Sequence, residues 1–343
     1  MAIDTRAPAR SDHADGGTYR IDVSKVDTAV LRRITAMAFR FPGRMAAGIT
    51  ATVAAALMQL LVPQYLGQAV DQAQGLLAGA VSGRTDRDAA EAALWTTAGL
   101  LLLVAVGRGL ATMAQNYLGE AVGHLIGFDL RMAYYRQLQR LSLSWHDRVH
   151  TGDLMTRGIL DIEGVRLWTD TGILRMFYLS ILIGGGAFVL LGIDPVLGLV
   201  ALAFVPIVGV RASFARLKLR DTWLALQDRM SALTKIMEEN LGGIRVVRAF
   251  AAQDHEMAKF DQVSAAALET ASRRVRLFVL STTQMTFVYF LAMAATLWIG
   301  GTKVLSGTIT LGQLTEVLAF MLILQMPVRQ IGWMINSIAR AST

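Results

Sequence analysis

The chain has 343 residues, 54% of them apolar and only 17% charged, with a mean hydropathy of +0.45 and a formal net charge of +7. Water-soluble globular domains carry about a quarter charged residues, so this balance identifies an integral membrane protein. The lack of cysteine excludes disulfides, thiolate metal sites and iron–sulfur clusters. No basic stripe is interleaved with aromatics, so no nucleic-acid partner is expected.

In chain order, residues 1–26 are polar and contain no apolar core, which predicts a disordered arm and no cleavable signal peptide. Asp27 is placed to cap a helix over 27–41, in which Val30, Leu31, Ile34, Met37 and Phe41 share a face opposite Arg32, Arg33 and Arg40. Such an elbow helix belongs in the headgroup layer, before Pro42-Gly43 turns the chain into the bilayer.

Spanning a hydrocarbon core of roughly 30 Å takes about 20 mostly apolar helical residues. Six runs qualify: 45–70, 92–119, 176–193, 195–210, 277–302 and 311–333. Within them the ionisable residues are Arg108, Glu316 and Arg329, and Trp95, Trp298 and Trp333 sit near span ends, where amphipathic rings favour the interface. The third and fourth runs are joined by Asp194 alone. Of the loops on one side, only Arg84, Arg87 and Lys303 supply positive charge; the other side holds nearly all the rest, so both termini are expected in the cytoplasm. Arginine far outnumbers lysine and alanine is abundant, the composition of a high-GC bacterium; the expected location is the bacterial plasma (inner) membrane.

The two long basic connections read as helices. From Ala92 to Leu143 there is no proline, and Leu125, Leu130, Met132, Tyr135, Leu138 and Leu141 continue a helical period past the membrane. About 50 such residues make a rod of roughly 75 Å. Leu226, Met230, Leu233, Met237 and Leu241 mark a second rod continuing the fourth span. Each rod ends in a reversal, one near 144–154 and one near 242–251. In the first, Thr151 is placed to cap the following helix, with Asp153 in its first turn. In the second, Gly242-Gly243 stops a helix, and Ile244, Val247 and Phe250, spaced by three, form an apolar face flanked by Arg245 and Arg248. A short amphipathic helix at a rod tip suits a partner's groove; a capped turn closing the bundle end is the alternative.

The run from Met237 to Phe250, with Glu256 and Phe260 beyond it, resembles the second intracellular loop of type-1 ABC exporter transmembrane domains. Four further stretches match in order: Pro63, Gly67 and Asp71; Asp129-Leu130-Arg131; Gly152 to Arg157 with Asp161; and Thr310-Leu311-Gly312 with Pro327. The resemblance covers roughly residues 30–343. It implies an all-α membrane protein of six long transmembrane helices extending into the cytoplasm, forming a domain-swapped dimer, homo- or heteromeric. It also implies that the tips are coupling helices seated on nucleotide-binding domains. Carried over by motif, the coupling residues are Trp145, His146, Asp147, Gly152, Asp153 and Leu154 at the first tip. At the second they are Gly243, Ile244, Arg245, Val247, Arg248 and Phe250. The chain departs from the pattern at Leu160, where asparagine is frequent, and at Glu316, where a small residue is more common.

ATP hydrolysis would need a GxxxxGK[S/T] phosphate loop, and none of Lys25, Lys218, Lys235, Lys259 or Lys303 follows a glycine. The chain itself is therefore not expected to be an enzyme. ATP and magnesium are expected on a nucleotide-binding domain, fused beyond Thr343 in a longer protein or encoded as a separate subunit. His146 and His150 have metal-compatible spacing but no third ligand, and no metal is expected. Gly119, Gly123 and Gly127 permit close helix packing. Intramembrane charges point to a substrate pathway, for which Arg108, Gln115, Asn116, Glu316 and Arg329 are the candidates. Their structural alternatives are an Arg108–Glu316 pair and a snorkelling Arg329. The reading is the permease of an ATP-driven exporter working by alternating access; the alternative is an ion- or proton-coupled transporter using Arg108 and Glu316.

Overall fold

The computed structural model describes residues 35–82 and 87–341. The expected arm 1–26, the first part of the elbow helix and Arg84 lie outside them. Among the described residues, six helices are long and apolar enough to cross a membrane.

Helix α1 (Pro42–Ser82) starts with proline at its first position, where a missing N–H costs nothing. It pairs lengthwise with α2 (Arg87–Arg140). The single turn α3 (Leu143–His146) leads into a rod built from α4 (Thr151–Thr156), α5 (Ile162–Leu167) and α6 (Leu174–Ile193). Two π-helical turns, Arg157–Asp161 and Trp168–Ile173, join these segments.

Asp194 leaves α6 in an extended conformation, and its Oδ1 accepts the Leu197 amide at 2.7 Å, capping α7 (Pro195–Leu202). Helix α8 (Phe204–Gly242) follows after a break at Ala203. Pro206 explains that break, because it offers no N–H to the Leu202 carbonyl four residues back. The short α9 (Ile244–Ala249) reverses the chain into α10 (Gln253–Leu305), which lies along α8. Helix α11 (Leu311–Ala341) closes the bundle.

Helix α11 is the hub: it packs on α1, α6, α7, α8 and α10. Its stripe Leu314, Val317, Phe320, Met321, Leu324 and Val328 is buried and meets Leu182, Leu190, Leu197, Phe204 and Tyr289 from its neighbours. Between helices in lipid the drive is close packing rather than exclusion of water, which is why small residues matter here. Gly186 lies against Leu324, Gly185 against Leu60 and Gly300 against Leu314. A second cluster joins residue Ala38, just before α1, to Met45, Val122, Ile126, Ile173 and Leu174, so the described end of the elbow packs on the bundle.

By contrast α2 and α10 leave Leu102, Leu103, Leu110, Phe287, Leu291 and Trp298 exposed, the expected surface for lipid or another membrane helix. The α10–α11 connection is a Schellman turn: the Thr308 amide donates to the Lys303 carbonyl and the Gly307 amide to Val304, with Gly307 at φ +72°.

Candidate functional site

At the first tip, Trp145 packs edge-on against His146 with ring centroids 5.3 Å apart. His146 Nε2 donates to the Leu138 carbonyl at 3.1 Å, tying the turn back to α2. Asp147 ends α3. Thr151, expected as a cap, instead holds the first position of α4, and the His150 carbonyl accepts the Leu154 amide at 3.3 Å. Gly152, Asp153 and Leu154 lie in α4; the Asp153 side chain is outside the described set. A cavity of about 770 Å³ opens between α2 and this segment, lined by Tyr135, Leu138, Leu143, Met155 and Ile159 among others. The Tyr134 hydroxyl donates to the Leu154 carbonyl at 2.8 Å. Gly158 lies beneath that ring, where a Cβ would come within 2.8 Å of it.

At the second tip, Gly243 ends α8 by donating to the Glu239 carbonyl at 2.9 Å. Helix α9 buries no residue. Phe250 is 80% exposed, Val246 60% and Ile244 43%; Arg245 and Arg248 are exposed, while Val247 is half-buried. The Ala252 amide donates to Val247 and the Ala251 amide to Arg248, a second Schellman turn with Ala251 at φ +52° in the position that glycine normally takes. Both tips thus present apolar side chains on short, tightly turned supports.

At the opposite end, α1 and α11 are knotted together. Asp71 Oδ1 accepts the Gly312 amide at 2.6 Å and Oδ2 the Thr310 hydroxyl at 2.7 Å, capping α11 from another helix. Gly67 and Gly312 let the backbones touch: a Cβ on Gly67 would lie 2.6 Å from the Gly312 carbonyl oxygen and 3.1 Å from Glu316 Cβ. The motif residues Asp71, Thr310 and Gly312 thereby acquire a joint role that sequence separation conceals. Nearby, Lys303 Nζ donates to Asp194 Oδ2 at 2.5 Å, and this bond with the Leu197 amide holds the Asp194 carboxyl below the usual aspartate range.

The substrate-pathway candidates do not converge. Glu316 lies beside Gly67, whereas Arg329, thirteen positions on and roughly 20 Å along the axis, donates to the Thr286 hydroxyl at 2.5 Å. Gln115 is buried and Asn116 exposed. No Arg108–Glu316 ion pair occurs among the described residues; Arg108 is exposed and, with Arg175, lies within electrostatic range of the Tyr178 hydroxyl.

Sequence reading missed the partners that do meet. Arg175 donates to Gln330 Oε1 at 2.8 Å, and Arg211 donates to Gln284 Oε1. Further along the rod, Arg166 donates to Glu163 at 2.8 Å and Glu120 at 2.7 Å, and Arg131 reaches Glu163 at 3.5 Å. The Arg166 stem passes Gly127, and the Arg166 guanidinium holds the Glu163 carboxyl below its ordinary range. This network ties α2 to α5 between the two π turns.

Six apolar spans carrying paired projecting helices make this a multi-pass helical membrane protein. The chain belongs to the ABC transporter transmembrane region family, whose model matches residues 45–328. It is 26% identical over 253 residues to the uncharacterized ABC transporter ATP-binding protein YknU of Bacillus subtilis (strain 168), covering 73% of this chain and 42% of that protein. It is 28% identical over 253 residues to the ATP-dependent lipid A-core flippase of Syntrophus aciditrophicus (strain SB), covering 74% and 42%. Against the multidrug resistance-like ATP-binding protein MdlA of Escherichia coli (strain K12) the figures are 26% over 304 residues, 87% and 49%. The chain therefore spans less than half the length of these relatives.

Proposed function

We propose that the chain is the permease part of an ATP-driven exporter that works by alternating access, with both termini in the cytoplasm of a bacterial inner membrane. The observation that carries this reading is the pair of exposed tips on helices far longer than a bilayer requires. Gln253–Leu305 alone measures about 80 Å against a core of roughly 30 Å. The projecting part has no use inside the membrane, and its ends offer Leu143, beside the half-buried Trp145, on one side and Ile244, Val246 and Phe250 on the other. These are the surfaces on which nucleotide-binding domains, carrying ATP and magnesium, would close. The relatives' names, which join ATP binding to transport, support such a partner, and a second transmembrane domain would complete the pathway. An ion-coupled mechanism built on Arg108 and Glu316 has no observation in its favour.

The experiment is F250A in the complete assembly. Phe250 is 80% exposed, so folding and insertion should be unchanged, while transport per ATP hydrolysed should fall at least about tenfold, the loss of one anchoring aromatic from an interface. Unchanged transport per ATP would overturn the docking role.

A further inference from the structure

Between the first tip and the hub, the rod is interrupted twice. The π turns Arg157–Asp161 and Trp168–Ile173 flank α5, so this short stretch is set apart from α4 and α6. Each turn holds a glycine whose Cβ position is taken by an aromatic ring. Tyr134 of α2 covers Gly158, and in the second turn the Trp168 ring lies 2.6 Å from where a Gly172 Cβ would stand. Little apolar surface fixes α5 itself: Ile162 is its one buried residue, Val165 is half-buried and Leu167 is 44% exposed.

What joins α5 to α2 is mainly charge. Arg166 donates to Glu120 across the helices at 2.7 Å, and Arg131 reaches Glu163 at 3.5 Å. Both sides of this junction also hold a partner on their own helix. Arg166 turns two guanidinium nitrogens to Glu163, three residues before it, and Glu120 lies 3.5 Å from His124 Nε2, four residues on. Parting the helices therefore strands no charge. Arg166, only 12% exposed, keeps Glu163, while Glu120 and Arg131, about half exposed, are taken up by water at small cost.

A second observation marks the described setting as one of two. Trp168 Nε1 is buried with no hydrogen-bond partner among the described residues. A buried donor without an acceptor is costly, so a setting of the turn that supplies one is favoured once α5 is free to move.

We propose that Arg166 and Glu120 form a detachable tether, which holds α5 on α2 while the nucleotide-binding domains are apart and lets go when their closure moves the first tip. Arg166 is thus a positioning residue for coupling. The inference rests on the permease reading and adds the joint through which the first tip acts on α6, the helix that meets the hub.

A Cβ on Gly127 would stand 3.9 Å from Arg166 Cβ, within the span of a disulfide, and the chain has no cysteine of its own. In the complete assembly, otherwise freed of cysteine, G127C/R166C replaces the ionic tether by one that oxidation closes and reduction opens. With copper phenanthroline as oxidant, the bridge should form at least about fivefold faster without nucleotide than with Mg-ATP and vanadate, which hold the ATP-binding domains closed. By the same linkage the finished bridge should slow ATP hydrolysis at least about tenfold, and dithiothreitol should restore it. R166Q, whose tether never closes, should hydrolyse ATP about twofold faster than the unmodified assembly, the value of an exposed ion pair, and R166K should stay near the unmodified rate.

Bridging that is as fast or faster with Mg-ATP and vanadate, or oxidised protein that hydrolyses ATP as fast as reduced protein, would overturn the tether. Should the cysteine pair fail to fold, R166Q decides: hydrolysis that is unchanged, or lowered as a purely structural role would lower it, counts against the tether. An assembly without any ATP hydrolysis would sink the permease reading and the tether together. A fully coupled F250A assembly in which oxidation still arrests hydrolysis would sink the docking role of Phe250 alone.

Discussion

The two ends of the bundle are held by opposite means. At the Asp71 end, helices are clasped by carboxylates that bond backbone and lysine, and glycines bring α1 and α11 into backbone contact. At the tip end, the reversals are short turns with exposed apolar side chains, and two of the cross-links between helices join arginine to neutral acceptors, Arg211 to Gln284 and Arg329 to Thr286. A clasp of the first kind resists separation, because opening it strands a carboxylate and exposes backbone at a membrane boundary. Links of the second kind exchange acceptors at little cost. The Asp71 clasp is therefore the stiff element of the comparison, and the neutral links are the weaker one.

Breaking the stiff end should have the largest effect. In G312A the added Cβ would meet the Gly67 carbonyl oxygen and the Asp71 carboxyl, so α1 and α11 must part; we expect a loss of about 3 kcal/mol, read as a lower midpoint in a thermal size-exclusion assay. The tip end should respond in the other direction. A251G relieves the left-handed alanine that closes α9 and should gain about 1 kcal/mol in the same assay, leaving the outer clasp unaltered.

The smallest effect belongs to Asp194. Its carboxyl is lowered in the folded protein, so the stability it confers is complete above the ordinary aspartate value of about 4 and is lost as pH falls through the lowered value. Thermal midpoints between about pH 5 and pH 3 should show a dependence worth less than about 1 kcal/mol that D194N removes. A pH response unchanged in D194N would mean that other carboxylates dominate this end.

Much of the fold was legible because lipid imposes a coarse code: apolar runs of sufficient length with at most two charges each marked the six spans, and proline-free helical periodicity marked the rods. The tips were legible from Gly242-Gly243 and the spacing of Ile244, Val247 and Phe250, although Val247 proves half-buried where Val246 is open. The lateral partners were not. Asp71 and Gly312 are 241 positions apart, and Arg211 and Gln284 are 73 apart; which helices adjoin is decided by packing, not by any local pattern. Arg108 and Glu316 seemed natural partners because opposite charges in a membrane should pair, yet Glu316 is at the glycine contact of α1 and α11 and Arg108 forms no ion pair with it among the described residues. The π turns have no sequence signature of the kind that glycine or proline gives a loop.

Those π turns act like dislocations in a crystal. Each accommodates one residue beyond the α-helical count, which rotates everything downstream by roughly 100° without ending the rod. With one on either side of α5, the face of α6 that meets the hub is set independently of the face of α4 that carries the first tip. A dislocation also glides, since the extra residue can pass along the helix by exchanging one hydrogen bond at a time. A glide of that kind would turn the segments of the rod against each other while keeping its length.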